Sequence, residues 1–190
     1  GVGSPVIVVQ TGRFVEKKGI DLSIRAFAAA RHEIGPSELW LVGDGPLRAD
    51  LEKLASELGV QDDVRFAGMV SHARYRELVA RADVCLQPSR TAADGDTEGG
   101  APTVILEMQA MGVRVVATRH ADIPFVSAHP DELTPEENVE ALAGALVRAA
   151  TEPEDGRRAR LVEARAFVEE RHDAWVTARD MEAVYDEALS

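Results

Sequence analysis

The sequence predicts a doubly wound, Rossmann-like α/β fold: a parallel sheet of five to six strands, helices on both faces and a helical C-terminus. Three observations predict it. Short β-branched runs alternate with amphipathic helical patterns from Val6 to Thr118. The connections between them are brief, which favours right-handed crossovers in one parallel sheet. Beyond Thr118 the strand signal stops and helical patterns follow one another.

Each element has its own signal. Val6–Gln10 (VIVVQ) is almost uniformly apolar, as a strand covered on both faces must be. Gly19–Arg31 carries Ile20, Ile24 and Phe27 on one helical face. Leu39–Val42 is the next strand. The turn Gly43-Asp44-Gly45-Pro46 opens a helix with Leu47, Leu51, Leu54 and Leu58 in register. Val64–Phe66 is a short strand, and Ser71 caps a helix bearing Tyr75, Leu78 and Val79. Val84–Gln87 is a strand, Pro88–Gly100 a polar, glycine-rich loop, and Thr103–Met111 a helix stopped by Gly112. Val113–Thr118 is the fifth strand. Arg119–Thr134 is irregular. Asn138–Thr151, Asp155–Glu170 and Asp173–Leu189 read as three successive helices.

Bulk properties set limits on function. The 190 residues suffice for one domain with one sizeable core. A net charge of −12, from 33 acidic and 21 basic residues, argues against nucleic acid or an anionic membrane as partner. It leaves room for a phosphorylated small molecule, because distant carboxylates are screened beyond about 10 Å. The single cysteine, Cys85, fits a reducing compartment. No run approaches the length of a membrane span, and Gly1–Ser4 lacks the basic start of a signal peptide. A cytoplasmic location is expected.

Ligands of open parallel sheets bind beyond the carboxyl ends of the strands, so the loops there carry the argument. The first, Gly12–Gly19 (GRFVEKKG), sets Arg13, Lys17 and Lys18 between a strand end and a helix start. Arg13 can fork onto phosphate oxygens, Lys18 can act as a point charge, and the helix start adds partial positive charge. The second, around Gly43, reads first as a structural turn, although its glycines would let a flat ring lie on bare backbone. The fourth is the richest. Glu98-Gly99-Gly100-Ala101-Pro102-Thr103 runs into a helix holding Val104 and Glu107, so backbone N–H groups and two carboxylates share one corner. A carboxylate beside a phosphate site makes sense as an acceptor for ribose or sugar hydroxyls. His120 and Asp122 follow the fifth strand, and a lone histidine there is more often structural than catalytic. His32, His72, His129 and His172 form no constellation. No metal-ligand spacing, Walker loop or G-x-G-x-x-G occurs. A phosphoacceptor domain would need an aspartate at a strand end, where Thr11, Gly43, Pro88 and Arg119 stand instead.

In this order the segments GRFVEKKG, Leu41–Pro46 (LVGDGP), Val64–Gly68 (VRFAG), Ala82–Ser89 (ADVCLQPS), Glu98–Glu107 (EGGAPTVILE) and Val115–Pro124 (VVATRHADIP) resemble the C-terminal domain of family 4 retaining glycosyltransferases. Those enzymes have the two-domain B-type fold, and the likeness runs from about Val6 to the C-terminus. It implies a nucleoside-diphosphate sugar donor, a UDP-, GDP- or ADP-sugar, with no metal or other cofactor. Arg13 and Lys18 would hold the diphosphate, with Gly12 beside them. Glu98 would contact the donor sugar and share the catalytic role with Arg13 and Lys18. Glu107 would bind the ribose, backbone at Gly99, Gly100, Ala101, Thr103 and Val104 the sugar and phosphates, and Gly43 and Val70 or a neighbour the base.

The sequence departs from the family pattern twice. Eight residues separate Glu98 from Glu107 where the family has seven. Either Gly99-Gly100 bulges and Glu98 still reaches the sugar, or Glu98 is displaced. The glycine-rich hairpin expected after Ile123-Pro124 is replaced by the short, glycine-free Phe125–Thr134. The resemblance further implies that residues 1–190 are the donor half of a cleft whose acceptor-binding N-terminal domain is absent. That domain would close the cleft and could bring the protein to the inner membrane face. A non-catalytic module that senses a nucleotide sugar is the alternative.

Overall fold

The computed structural model describes residues 4–173. Five parallel strands form one sheet in the order β3-β2-β1-β4-β5. They are β1 (Val6–Thr11), β2 (Ser37–Val42), β3 (Val64–Gly68), β4 (Val84–Gln87) and β5 (Arg114–Ala117). One helix follows each of the first four: α1 (Ile20–Ile34), α2 (Arg48–Glu57), α3 (His72–Val79) and α4 (Thr103–Ala110). The short α5 (Ile123–Val126) precedes α6 (Val139–Thr151) and α7 (Glu154–Arg171). The predicted alternation therefore holds. The third C-terminal helix, expected over Asp173–Leu189 with Trp175 and Tyr185, lies almost wholly outside the described residues.

Strand alternation divides the core in two. Val8, Leu39, Leu41, Val84 and Leu86 face Ile24 and Phe27 of α1, Leu51 and Leu54 of α2, and Leu142 and Leu146 of α6. Ile7, Val9, Trp40, Val42 and Cys85 face Leu78 and Val79 of α3 and Met108 of α4. Cys85 is fully buried, which pushes its thiol pKa up to about 12.

Several boundaries differ from expectation, each for a reason of pairing or packing. β2 starts two residues early because Ser37 pairs with Val6. α1 runs on to Ile34, which packs against the core before Gly35 ends the helix. α2 starts only at Arg48, because Leu47 is held outside it by a hydrogen bond from its N–H to the Phe14 carbonyl. Leu58, expected on the buried face, is instead the exposed C-cap residue. Ser71 caps α3 as predicted, its Oγ accepting from the Arg74 N–H at 3.3 Å.

The stretch after β5 has more order than its composition suggests. Thr134 returns beside the strand and makes a parallel bridge with Thr118. Its N–H donates to the Ala117 carbonyl at 3.0 Å. Gln109 of α4 pins the intervening α5: its Nε2 donates to the Val126 carbonyl at 2.9 Å, and its Oε1 accepts from the Ala128 N–H at 2.7 Å. The Thr118–Thr134 pair is as far as a sixth strand develops among the described residues.

Candidate functional site

The chain reverses direction across the sheet between β1 and β4, the switch point where loops diverge and leave a crevice. A cleft of about 960 Å³ opens there. Four loops supply its walls. Gly12, Arg13 and Lys18 come from the loop after β1 with Thr11 at the strand end, and Gly43 and Asp44 from the one after β2 with Val42 at the strand end. Gly68, Met69, Val70, His72 and Tyr75 lie after β3, and Ala101–Val104 with Glu107 after β4.

Close backbone contact sets the floor. Gly12 N–H donates to the Val42 carbonyl and Gly43 N–H to the Gly68 carbonyl, each at 3.0 Å. Gly43 sits at φ +142°, and a Cβ there would stand 1.9 Å from the Gly12 oxygen. Only glycine fits such a crossing. Asp44 extends the structural role of this turn: its carbonyl accepts from the Phe14 N–H, and its carboxylate accepts from the Gly45 N–H.

The basic residues of the first loop divide their work. Arg13 is exposed at the cleft, and its side chain makes no hydrogen bond or ion pair with the described residues. Its guanidinium is free to meet an incoming anion. Lys17 and Lys18 both reach across to the fourth loop. Lys17 Nζ donates to Asp96 Oδ1 at 3.0 Å and to the Thr97 carbonyl at 2.8 Å. Lys18 Nζ donates to Glu98 Oε2 at 2.7 Å while its side chain still lines the cleft.

Glu98 is placed differently from a simple sugar ligand. Its side chain is 5% exposed, and it does not line the cleft. Besides Lys18, its carboxylate accepts from Ser89 Oγ at 2.5 Å and Gln87 Nε2 at 3.5 Å. A buried carboxylate needs such a full set of donors to offset lost hydration. Gly99 and Gly100 also stand outside the cleft lining. Gly99 takes a left-handed φ of +67° and donates its N–H to Thr97 Oγ1, so the extra residue is absorbed in a turn just before the cleft.

From Ala101 onward the fourth loop enters the cleft. α4 begins after Pro102 with no side-chain cap, so its first N–H groups face outward unpaired by any side chain. Thr103 and Val104 line the wall there, and Glu107, one turn on, is exposed within the cleft. Its Oε2 accepts from the Tyr75 hydroxyl at 2.8 Å. Burial, and then the Glu107 carboxylate, push the Tyr75 pKa well above the usual tyrosine range, so this hydroxyl stays a donor.

Tyr75 and His72 are cleft residues the sequence did not single out. They lie three apart from the Ser71 cap onward, a spacing that sets both on one side of α3. Gln10 and Gln87 are others of structural weight, each a polar end to an apolar strand and almost fully buried. Gln10 Nε2 donates to the Lys18 carbonyl at 2.7 Å and so fixes the backbone that carries the ammonium. Among the described residues no three His, Cys, Asp or Glu side chains gather as metal ligands. None of the described helices is long and apolar enough to cross a membrane.

Fold and site together define a doubly wound domain with a cleft at its topological switch point, where Arg13 and Lys18 stand on one wall and Glu107 on another. A family model described as "Glycosyl transferases group 1" matches residues 5–152, and the chain belongs to that family. The sequence is 34% identical over 146 residues to the amylovoran biosynthesis glycosyltransferase AmsK of Erwinia amylovora, covering 76% of this chain and 36% of the relative. It is 33% identical over 145 residues to a putative colanic acid biosynthesis glycosyltransferase, WcaL, of Escherichia coli, covering 75% and 36%. The chain thus spans little more than a third of these relatives. Among solved structures, WaaG, a glycosyltransferase involved in lipopolysaccharide biosynthesis, superposes with a TM-score of 0.72 at 28% identity over 88% of this chain and 44% of that one. Anabaena HepE in complex with UDP shares the fold at a TM-score of 0.80 and 22% identity, over 96% and 49%. The expected kinship with B-type glycosyltransferase domains holds.

Proposed function

We propose that this chain is the donor half of a retaining glycosyltransferase. It would bind a nucleoside-diphosphate sugar, and the hexosyl group would pass to an acceptor such as a growing glycan or lipid-linked sugar. The observation that carries this reading is the convergence of Arg13, Lys18 and the uncapped start of α4 on one cleft at the switch point. Amylovoran, colanic acid and lipopolysaccharide biosynthesis in the names of AmsK, WcaL and WaaG supports the acceptor class, and the UDP complex of HepE supports the ligand class.

In this reading the diphosphate lies between Arg13 and the N-terminus of α4. Departure of the nucleoside diphosphate concentrates negative charge on its oxygens, and preorganised donors aimed there lower the barrier. Arg13 supplies a forked donor, Lys18 a charge, and Thr103 and Val104 backbone N–H groups. Glu107, steadied by Tyr75, accepts from the ribose hydroxyls. Gly43 and Val70 flank the base. An acceptor-binding N-terminal domain would form the opposite wall and exclude water from the reacting carbon.

Calorimetric titration of the chain with UDP-, GDP- and ADP-sugars tests the reading. At least one should bind with a Kd of roughly 10 μM to 1 mM, the weak range expected of half a cleft. Failure of every nucleotide sugar at millimolar concentration would overturn it. Acceptor-dependent release of nucleoside diphosphate by the chain alone, at about 1 s⁻¹ or faster, would overturn the half-cleft assignment.

A further inference from the structure

Behind the fourth loop runs a chain of polar contacts that the donor site itself does not use. His120, in the loop after β5, is 3% exposed. Its Nε2 accepts from the Glu98 N–H at 3.3 Å. Its Nδ1 lies 2.8 Å from Glu136 Oε1. A nitrogen that accepts carries no proton, so the neutral ring holds its proton on Nδ1 and donates it to Glu136. The second Glu136 oxygen, Oε2, accepts from the Thr91 N–H at 3.0 Å. One carboxylate thus ties the beginning of the 88–100 loop directly and its end through the imidazole.

The far end of this chain is functional. The backbone of Glu98 is set by His120, and the carboxylate of Glu98 in turn sets the Lys18 ammonium at the cleft. Neither His120 nor Glu136 lines the cleft. Resting on the donor-site reading above, we propose that His120 and Glu136 are positioning residues. They brace the turn that holds Glu98, and through Glu98 they fix Lys18 where the diphosphate arrives. Glu98 accordingly acts on the donor through Lys18 rather than by touching the sugar. The extra residue at Gly99-Gly100 belongs to the same arrangement, since it separates the buried Glu98 from the cleft-lining stretch that begins at Ala101.

The test uses the 190-residue chain at pH 8, with UDP and GDP as diphosphate probes and uridine and guanosine as controls. Long-range ¹H–¹⁵N correlation should show His120 protonated on Nδ1 and bare on Nε2, and the Glu98 amide should be protected from hydrogen exchange. His120→Phe removes the acceptor while keeping a ring. It should weaken UDP and GDP by about five- to tenfold, the scale of one hydrogen bond, without weakening the nucleosides. His120→Gln, whose carbonyl can take the place of Nε2, should recover most of the loss. Glu136→Gln, which keeps one oxygen able to accept from Nδ1, should cost a smaller loss of the same kind. An Nε2-protonated ring or an unprotected Glu98 amide overturns the proposal. So does a His120→Phe protein of lower melting temperature but unchanged diphosphate affinity. If neither UDP nor GDP binds the unmodified chain, ADP is used in their place; if all three fail, the donor-site reading fails, and the tautomer and amide protection still decide whether the brace exists.

Discussion

The Tyr75 hydroxyl donates to Glu107 Oε2 at 2.8 Å, tying α3 to α4 at the wall of the cleft. The pair leaves the other Glu107 oxygen, Oε1, available to a ligand. If that ligand is a ribose, Glu107→Gln should narrow the preference of the chain for a ribonucleoside diphosphate over its 2′-deoxy form. Hydrogen bonds to charged groups contribute about 1.5–3 kcal/mol, and roughly half of that should disappear from the difference. Tyr75→Phe should reproduce part of the effect by releasing the carboxylate from its fixed rotamer. Parallel titrations of ribo and deoxyribo ligands measure both, and an unchanged ratio in Glu107→Gln would remove Glu107 from the ribose site.

Arg13 is exposed and unpaired among the described residues, so its removal should leave the fold intact. Arg13→Ala should weaken nucleoside diphosphate binding by about 1.5–3 kcal/mol and nucleoside binding far less. The melting temperature should stay put. Equal losses for both ligands would mark the side chain as structural.

Gly43→Ala is expected to do the opposite. Its φ of +142° and the 1.9 Å approach to the Gly12 oxygen leave no place for a methyl group. The strands β1 and β2 must part at their carboxyl ends to admit it. Destabilisation should exceed about 1 kcal/mol, read from urea unfolding, and the cleft should lose affinity for every ligand alike.

Glu136 supplies a signature at acid pH. Burial alone would raise its pKa, but the Thr91 N–H and His120 more than offset this and hold it below the usual carboxylate value of 4.5. A carboxylate whose folded pKa is depressed contributes stability above its unfolded pKa and loses it as pH falls through the folded one. The unmodified chain should therefore lose stability on acidification below about pH 4.5 more steeply than Glu136→Gln. Unfolding midpoints from pH 7 down to pH 3 would show the two curves converging, and parallel curves would contradict the assignment.

Much of the fold is visible in the residues themselves, and the reason is physical. Val6–Gln10 and Val84–Gln87 read as strands covered on both faces because they are short, apolar and flanked by turn residues. Loop positions are legible because Gly43, Gly99 and Gly100 interrupt the apolar periodicity. What stays hidden depends on contacts distant in sequence. Nothing local says that Lys18 meets Glu98, eighty residues on, that Tyr75 meets Glu107, or that Gln109 of α4 pins α5. Lys18 and Glu98 come together only once β1 and β4 lie side by side. Gln10, Gln87 and His120 give a faint hint, since polar residues at the ends of apolar strands must find partners when buried.

The placement of α6 has a consequence for how this chain comes into being. α6 packs along α1 and covers β4 and β5, with Leu142 and Leu146 completing the core that Phe27 and Ile24 begin. Among the described residues none beyond Glu107 lines the cleft, yet the hydrophobic layer of α1 and the sheet stays open until α6 has been added. A chain that had emerged only as far as residue 120 would hold these cleft residues on a half-covered sheet, with the side of α1 that α6 covers bare to solvent. The matched family region, residues 5–152, takes in the whole of α6, the helix that closes that layer.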